Sequence, residues 1–226
     1  MGVSKIGQTI LATALMLFAG QTAHFIAFID ASEQNSALDD IFEPSFSGNA
    51  TNTVMVKDIW AGATTDYVGS LGAMGNMVYF SGRDGTYGSE LWKSDGTEAG
   101  TVMVKDINPG LNHSSPNELF ALGDTLYFSA DTETNGYELW KSDGTEAGTV
   151  MVKDLRPESN TNGALSSNPE QMIALNNTLY FTTEYGATNY GSELWKSDGT
   201  ENGTVVVKDI YPGSWSSIPN YLTLIG

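Results

Sequence analysis

From residue 53 onward the apolar positions fall into short runs rich in β-branched and aromatic residues, each closed by Gly, Asn, Asp or Ser. No stretch beyond residue 30 carries a helical period, so the pattern predicts strands. PNELFAL (116–122) and TLYFSA (125–130) flank Gly123-Asp124, a two-residue turn of the type I′ kind, with equivalents at Gly75-Asn76 and Asn176-Asn177. The polar loop DTETNG leads into YELWKS (137–142), and the turn DGTEAG leads into TVMVKDL (149–155). Four antiparallel strands are expected. Leu139 and Trp140 point to opposite faces and both are large and apolar, which predicts a sheet covered on both sides.

This unit recurs. ELWKSDGT stands unchanged at 90–97, 138–145 and 193–200, and its final Thr each time opens T-x-x-G-T-V-x-V-K-D followed by an apolar residue. Trp92, Trp140 and Trp195 are 48 and 55 residues apart, and the seven extra residues fall in two loops. Insertions confined to loops are what a stacked repeat tolerates. Four strands in about 48 residues match the size of a propeller blade, which in kelch repeats runs to about 50. The expected fold is all-β: a β-propeller of four-stranded antiparallel blades, incomplete in this chain. Residues 53–226 then hold three full blades and a truncated fourth, because PNYLTLIG (219–226) aligns with PNELFALG (116–123). An orphan TVMVKDI at 53–59 precedes the first octapeptide and suggests ring closure by pairing with later strands.

The octapeptide and its VKD continuation resemble the ELWxxDGT-repeat proteins of bacteria and archaea, some of them labelled hyalin-like. The resemblance covers residues 53–226. It implies a secreted or surface-displayed, propeller-like protein and does not imply a molecular activity.

The formal charge is −17, from 27 acidic and 10 basic residues. Seven of the ten sit at fixed repeat positions: Lys57, Lys105, Lys153 and Lys208 in VKD, and Lys93, Lys141 and Lys196 in WKSDGT. They are expected to pair with neighbouring carboxylates, which leaves no clustered cations for nucleic acid or an anionic membrane. Cysteine is absent, so disulfides, thiolate metal sites and cysteine catalysis are excluded. Residues 1–30 read as a signal peptide or N-terminal anchor around TILATALMLFAG (9–20), and 31–52 as a polar linker. Any membrane attachment would run through that segment, and the expected location is secreted or cell surface.

Catalytic candidates do not assemble. The two histidines are His24 in the export segment and His113 alone in a loop, so neither a histidine metal pair nor a Ser-His-Asp set can be built. Asp95 and Glu98, Asp143 and Glu146, and Asp198 and Glu201 form a weak calcium pattern, short of the 6–8 oxygens that calcium takes. A turn in which the Asp bonds local amides is the stronger reading, with Gly96, Gly144 and Gly199 completing it. Trp92, Trp140 and Trp195 read as core anchors. The loops, unlike the strands, differ between copies, and they carry Tyr87, Tyr137, Tyr185 and Tyr190. Protein or glycan binding is expected there, without a cofactor. The function that follows is a non-enzymatic adhesion or scaffold module. The alternatives are the propeller portion of a larger, carbohydrate-active extracellular enzyme, or a calcium-stabilised surface component.

Overall fold

The computed structural model describes residues 54–61, 68–161, 163–186 and 190–225, plus the backbone of β1 (Thr13–Ala14) and β2 (Ala27–Phe28), which pair antiparallel. Residues 1–30, read above as a signal peptide or N-terminal anchor, and 31–52, read as a linker, otherwise lie outside the described residues. The described part is all-β, without a helix. Sheet 1 holds β3 (Val68–Met74), β4 (Met77–Arg83), β5 (Ser89–Ser94) and β6 (Val102–Lys105). Sheet 2 holds β7 (Asn117–Leu122), β8 (Thr125–Thr132), β9 (Gly136–Ser142) and β10 (Val150–Lys153). The five-residue insertion after Leu155 accommodates a small hairpin, β11 (Ser159–Asn160) and β12 (Gly163–Ala164). Sheet 3 holds β13 (Pro169–Leu175), β14 (Thr178–Thr183), β15 (Leu194–Ser197) and β16 (Val205–Lys208).

Each four-stranded sheet is an antiparallel meander in chain order. The tight turns differ from expectation at two of three places. Asn176 and Asn177 both take positive φ, the type I′ pattern, but in the other two turns only Gly75 and Gly123 do, the type II′ pattern. A glycine at the first central position suffices for that turn, so Asn76 and Asp124 keep ordinary backbone angles.

The register explains the core. Tyr79 lies opposite Lys93 and Ser81 opposite Leu91, while Phe80 lies opposite Trp92. Tyrosine, leucine and lysine therefore share one face, and phenylalanine and tryptophan the other. Cores form between sheets. Tyr79, Leu91, Val104 and Ile107 of sheet 1 pack on Leu126, Phe128, Ala130 and Trp140 of sheet 2. Tyr127, Leu139, Val152 and Leu155 of sheet 2 pack on Leu179, Phe181 and Trp195 of sheet 3. The three Trp rings are 5–8% exposed, yet each indole N–H is buried without an acceptor. An orphaned donor costs about 1–3 kcal/mol. Burying the ring contributes up to about 4–6 kcal/mol, so packing prevails.

Neighbouring sheets approach most closely along their first strands. A Cβ added at Gly72 would stand 2.9 Å from the Leu119 Cβ. Ser70 bonds Asn117, and the Gln171 N–H donates to Glu118 Oε2 at 3.1 Å. Ser70, Glu118 and Gln171 take the same left-handed backbone within the same bulge, so this inner edge repeats like the rest. At the outer edge, long lysine arms span the gap. Lys57, Lys105 and Lys153 donate to the carbonyls of Thr101, Thr149 and Thr204 at 2.8–2.9 Å. Lys93 and Lys141 donate to the carbonyls of Gly144 and Gly199 at 2.8 Å. The sequence suggested carboxylate partners for these lysines. Instead their direct bonds go to backbone carbonyls of the next sheet, while Lys93 and Lys141 act on the Asp143 and Asp198 carboxylates through space.

If the core lies between sheets, equivalent leucines must differ in weight. Leu139→Ala, at a site with no exposure, is expected to cost about 2–5 kcal/mol. Leu194→Ala, half-buried on the far face of sheet 3, is expected to cost less than half of that. Urea unfolding of the two variants measures both values.

Candidate functional site

Because each sheet is a meander, its connections alternate between two ends. The tight turns and the three SDGT turns share one end, and every variable loop shares the other. The turn end is locally saturated. Asp95 Oδ1 accepts from the Thr97 N–H at 2.9 Å and the Thr97 hydroxyl at 2.7 Å, and the Thr97 hydroxyl oxygen accepts from the Gly100 N–H at 2.9 Å. Asp143 and Asp198 repeat this arrangement with Thr145 and Thr200. The threonine donors hold all three carboxyls below the ordinary aspartate range. Gly144 and Gly199 are positive-φ residues closed over by the hydroxyls of Tyr79 and Tyr127, which would stand 2.3 and 2.5 Å from an added Cβ.

Glu98, Glu146 and Glu201 are exposed, and no group of three or more acidic, histidine or cysteine side chains with metal-binding geometry occurs among the described residues. The weak calcium pattern thus maps onto turns whose Asp oxygens already hold Thr donors.

The loop end is organised by a residue that the sequence reading passed over: the glutamate of ELWKSDGT. Glu90, Glu138 and Glu193 have no exposed surface. Glu138 Oε2 accepts from the Leu155 N–H at 2.8 Å and the Ser167 hydroxyl at 2.6 Å, and Oε1 accepts from the Ser167 N–H at 3.0 Å. Glu90 does the same with Ile107 and Ser114, and Glu193 with Ile210 and Ser217. One buried carboxylate thereby ties the exit of a fourth strand to the entry of the next sheet. The connector also crosses the loop preceding each glutamate closely enough to require glycine. A Cβ at Gly88 would lie 1.5 Å from the Asn112 carbonyl oxygen, and one at Gly191 2.0 Å from that of Trp215. The recurrence of Ser, any residue and Pro at 114–116, 167–169 and 217–219 was the available signal.

Burial pushes Glu90 up to about 7 and Glu138 up to about 8, against the opposing pull of their serine and amide donors. Burial also raises Asp131.

The four candidate tyrosines all lie at the loop end but play different parts. Tyr185 is 48% exposed. Tyr87 is half-buried, its N–H held by Asp84 Oδ1 at 2.8 Å. Tyr137 is half-buried, and its carbonyl accepts from the Ser167 and Asn168 N–H groups. Tyr190 packs edge-on against Trp195, with ring centroids 6.1 Å apart. His113 is a loop brace, its Nδ1 accepting from the Ser89 N–H at 2.9 Å.

Among the described residues no helix is long and apolar enough to cross a membrane. Comparison with family models, with curated proteins and with solved structures finds no match.

The glutamate clamp has a pH signature. The folded protein keeps the Glu90 and Glu138 protons above pH 4.5, where the unfolded chain releases them, so stability falls as pH rises through about 7 and 8 and is flat beyond. The urea midpoint is expected to drop between pH 5 and pH 8, and Glu138→Gln to flatten that slope. A titration of urea midpoints on both proteins measures this.

Proposed function

We propose that this chain is a non-enzymatic β-propeller module that binds surface glycans through its loop end, as an adhesion or scaffold component displayed outside the cell. The observation that carries this reading is the partition of the two ends. Among the described residues the divergent loops stand at one end of the sheets, and the three connectors that follow β6, β10 and β16 are each fixed at both roots by an equivalent buried glutamate, Glu90, Glu138 or Glu193. Rigid roots with unlike tips are how a repeated scaffold presents recognition chemistry. Supporting the propeller arrangement, the first strands of successive sheets lie against one another while lysine arms span the outer edge, as expected for sheets radiating from a common axis.

Tyr87, Tyr137 and Tyr185, beside Asn112, Asn135 and Asp84, provide ring faces and hydrogen-bonding groups suited to sugar hydroxyls. Acidic side chains dominate this end, with Asp84, Asp106, Glu133, Asp154, Glu158 and Glu184 set against Arg83 and Arg156. A neutral glycan fits that charge better than a polyanion. Display on a glycan array tests the reading. The chain is expected to retain neutral glycans, and the Tyr87→Ala/Tyr185→Ala double variant to lose about tenfold in affinity, the weight of one aromatic stacking contact. No retention by the parent chain, or equal retention by the variant, contradicts it.

A further inference from the structure

A further bond recurs at the loop end, beside those made by the buried glutamates. The residue before each glutamate donates its N–H to the side chain of the residue before the clamped serine. Tyr137 donates to Ser166 Oγ at 3.0 Å, and Ser192 to Ser216 Oγ at 2.9 Å. In the first connector the acceptor is an imidazole: the Ser89 N–H meets His113 Nδ1 at 2.9 Å.

The three acceptors differ in one chemical respect. A serine hydroxyl oxygen accepts at any pH, whereas an imidazole nitrogen accepts only while it carries no proton. Turning the ring over would set Cδ2 against the amide, so Nδ1 is the bare nitrogen and the neutral ring keeps its proton on Nε2. Histidine is the side chain that changes charge between about pH 5 and 8. His113 is exposed, so protons reach it from solvent, while Ser89 is only 4% exposed, which withholds its N–H from water.

The brace closes a tight crossing. A Cβ added at Gly88 would stand 1.5 Å from the Asn112 carbonyl oxygen, and the Gly88 N–H donates to the Gly110 carbonyl at 3.0 Å. Residues 84–88, which include Tyr87, are thereby pinned to the connector 107–116. The His113 backbone is held separately, its carbonyl accepting from Asn108 Nδ2 at 3.2 Å, so the ring can leave without it. The charged groups on the surrounding elements are otherwise engaged. Arg83 lies over the Trp60 ring, Asp84 Oδ1 holds the Thr86 and Tyr87 N–H groups, and Asp106 Oδ2 holds the Gly110 N–H. Glu90 is bound to Ser114, and Asp131 and Glu133 of sheet 2 meet this connector through their backbone N–H groups.

We propose that His113 is an acid-sensitive latch on the first connector: protonation of Nδ1 sets donor against donor, the ring leaves Ser89, and residues 84–88 part from residues 107–116 while the two serine-braced connectors stay closed. The sign is opposite to that of the glutamate clamp. Protonated Glu90 and Glu138 favour the folded state in acid, whereas the latch is complete above the imidazole titration and lost below it. Acid loosening at this one connector therefore does not come from the clamp. A ligand held by the Tyr87 ring would bind more tightly at neutral pH; that consequence rests on the glycan reading, and the latch itself does not.

Amide hydrogen exchange of the full chain at pH 7.5 and pH 5, resolved by NMR and corrected for the intrinsic pH dependence of exchange, tests this. Protection of Ser89 and Gly88 is expected to fall about tenfold in acid, the weight of one buried hydrogen bond, while Tyr137 and Ser192 keep or gain protection. His113→Ser, which installs the acceptor of the other two connectors, is expected to hold Ser89 protection level across the range. Asp131→Asn removes the other group at this joint that burial shifts upward, and is expected to leave the fall in place. Equal protection of Ser89 at both pH values in the parent chain overturns the proposal, as does a fall that persists in His113→Ser or vanishes in Asp131→Asn. An equal loss at Tyr137 and Ser192 overturns it as well, because it marks opening of the whole loop end.

Discussion

A sheet with Leu139 on one face and Trp140 on the other has no solvent-tolerant side, so it persists only between two neighbours. That constraint fixes most of what is invariant in the repeat. Tyrosine and leucine point forward into the next sheet, and phenylalanine and tryptophan point back into the previous one. The lysines complete the forward contact: those of WKSDGT reach the glycine carbonyl of the next SDGT turn, and those of VKD reach the threonine carbonyl that precedes the next fourth strand. Direction is therefore built into the stack: each sheet gives in one sense and receives in the other. Stability in such an array is close to a sum of nearest-neighbour terms.

The octapeptide serves both ends of the sheet at once. Its glutamate gathers the loop end, accepting from two strand-exit or connector amides and a serine hydroxyl. Its Ser-Asp-Gly-Thr closes the turn end and offers the carbonyls that the previous sheet's lysines use. A residue change in any of these positions disturbs a joint as well as a turn, which explains why the eight residues recur unchanged while the loop tips diverge. The same division separates scaffold from candidate binding face.

Within the three repeats, strand number, order and approximate ends were legible because alternation and turn residues are local signals, as in TLYFSA and YELWKS, whereas the orphan TVMVKDI and PNYLTLIG form no strand over 54–59 and 219–225 and the β11–β12 hairpin had no such signal. The opposite facing of Leu139 and Trp140 was legible for the same reason. The lysine partners were not, because a carbonyl in the next sheet has no sequence signature. The buried glutamate was hidden by its charge: Glu138 reads as a surface residue until Ser167, 29 positions later, is brought to it. Tyr190 read as a loop residue and packs on Trp195, since a sequence cannot show which loop aromatic folds inward. The type II′ turns at Gly75 and Gly123 were missed because Gly-Asn and Gly-Asp suit either turn type until φ is known.

The central claim is that each sheet is held by its neighbours rather than by its own strands. Native-state hydrogen exchange, at concentrations where the chain is monomeric, addresses it directly. The account predicts that amides of β8 and β9, in a sheet covered on both faces, exchange more slowly than the corresponding amides of β14 and β15, whose sheet keeps Tyr180 and Leu194 only half-buried. Equal protection in the two sheets, or faster exchange in sheet 2, would contradict it.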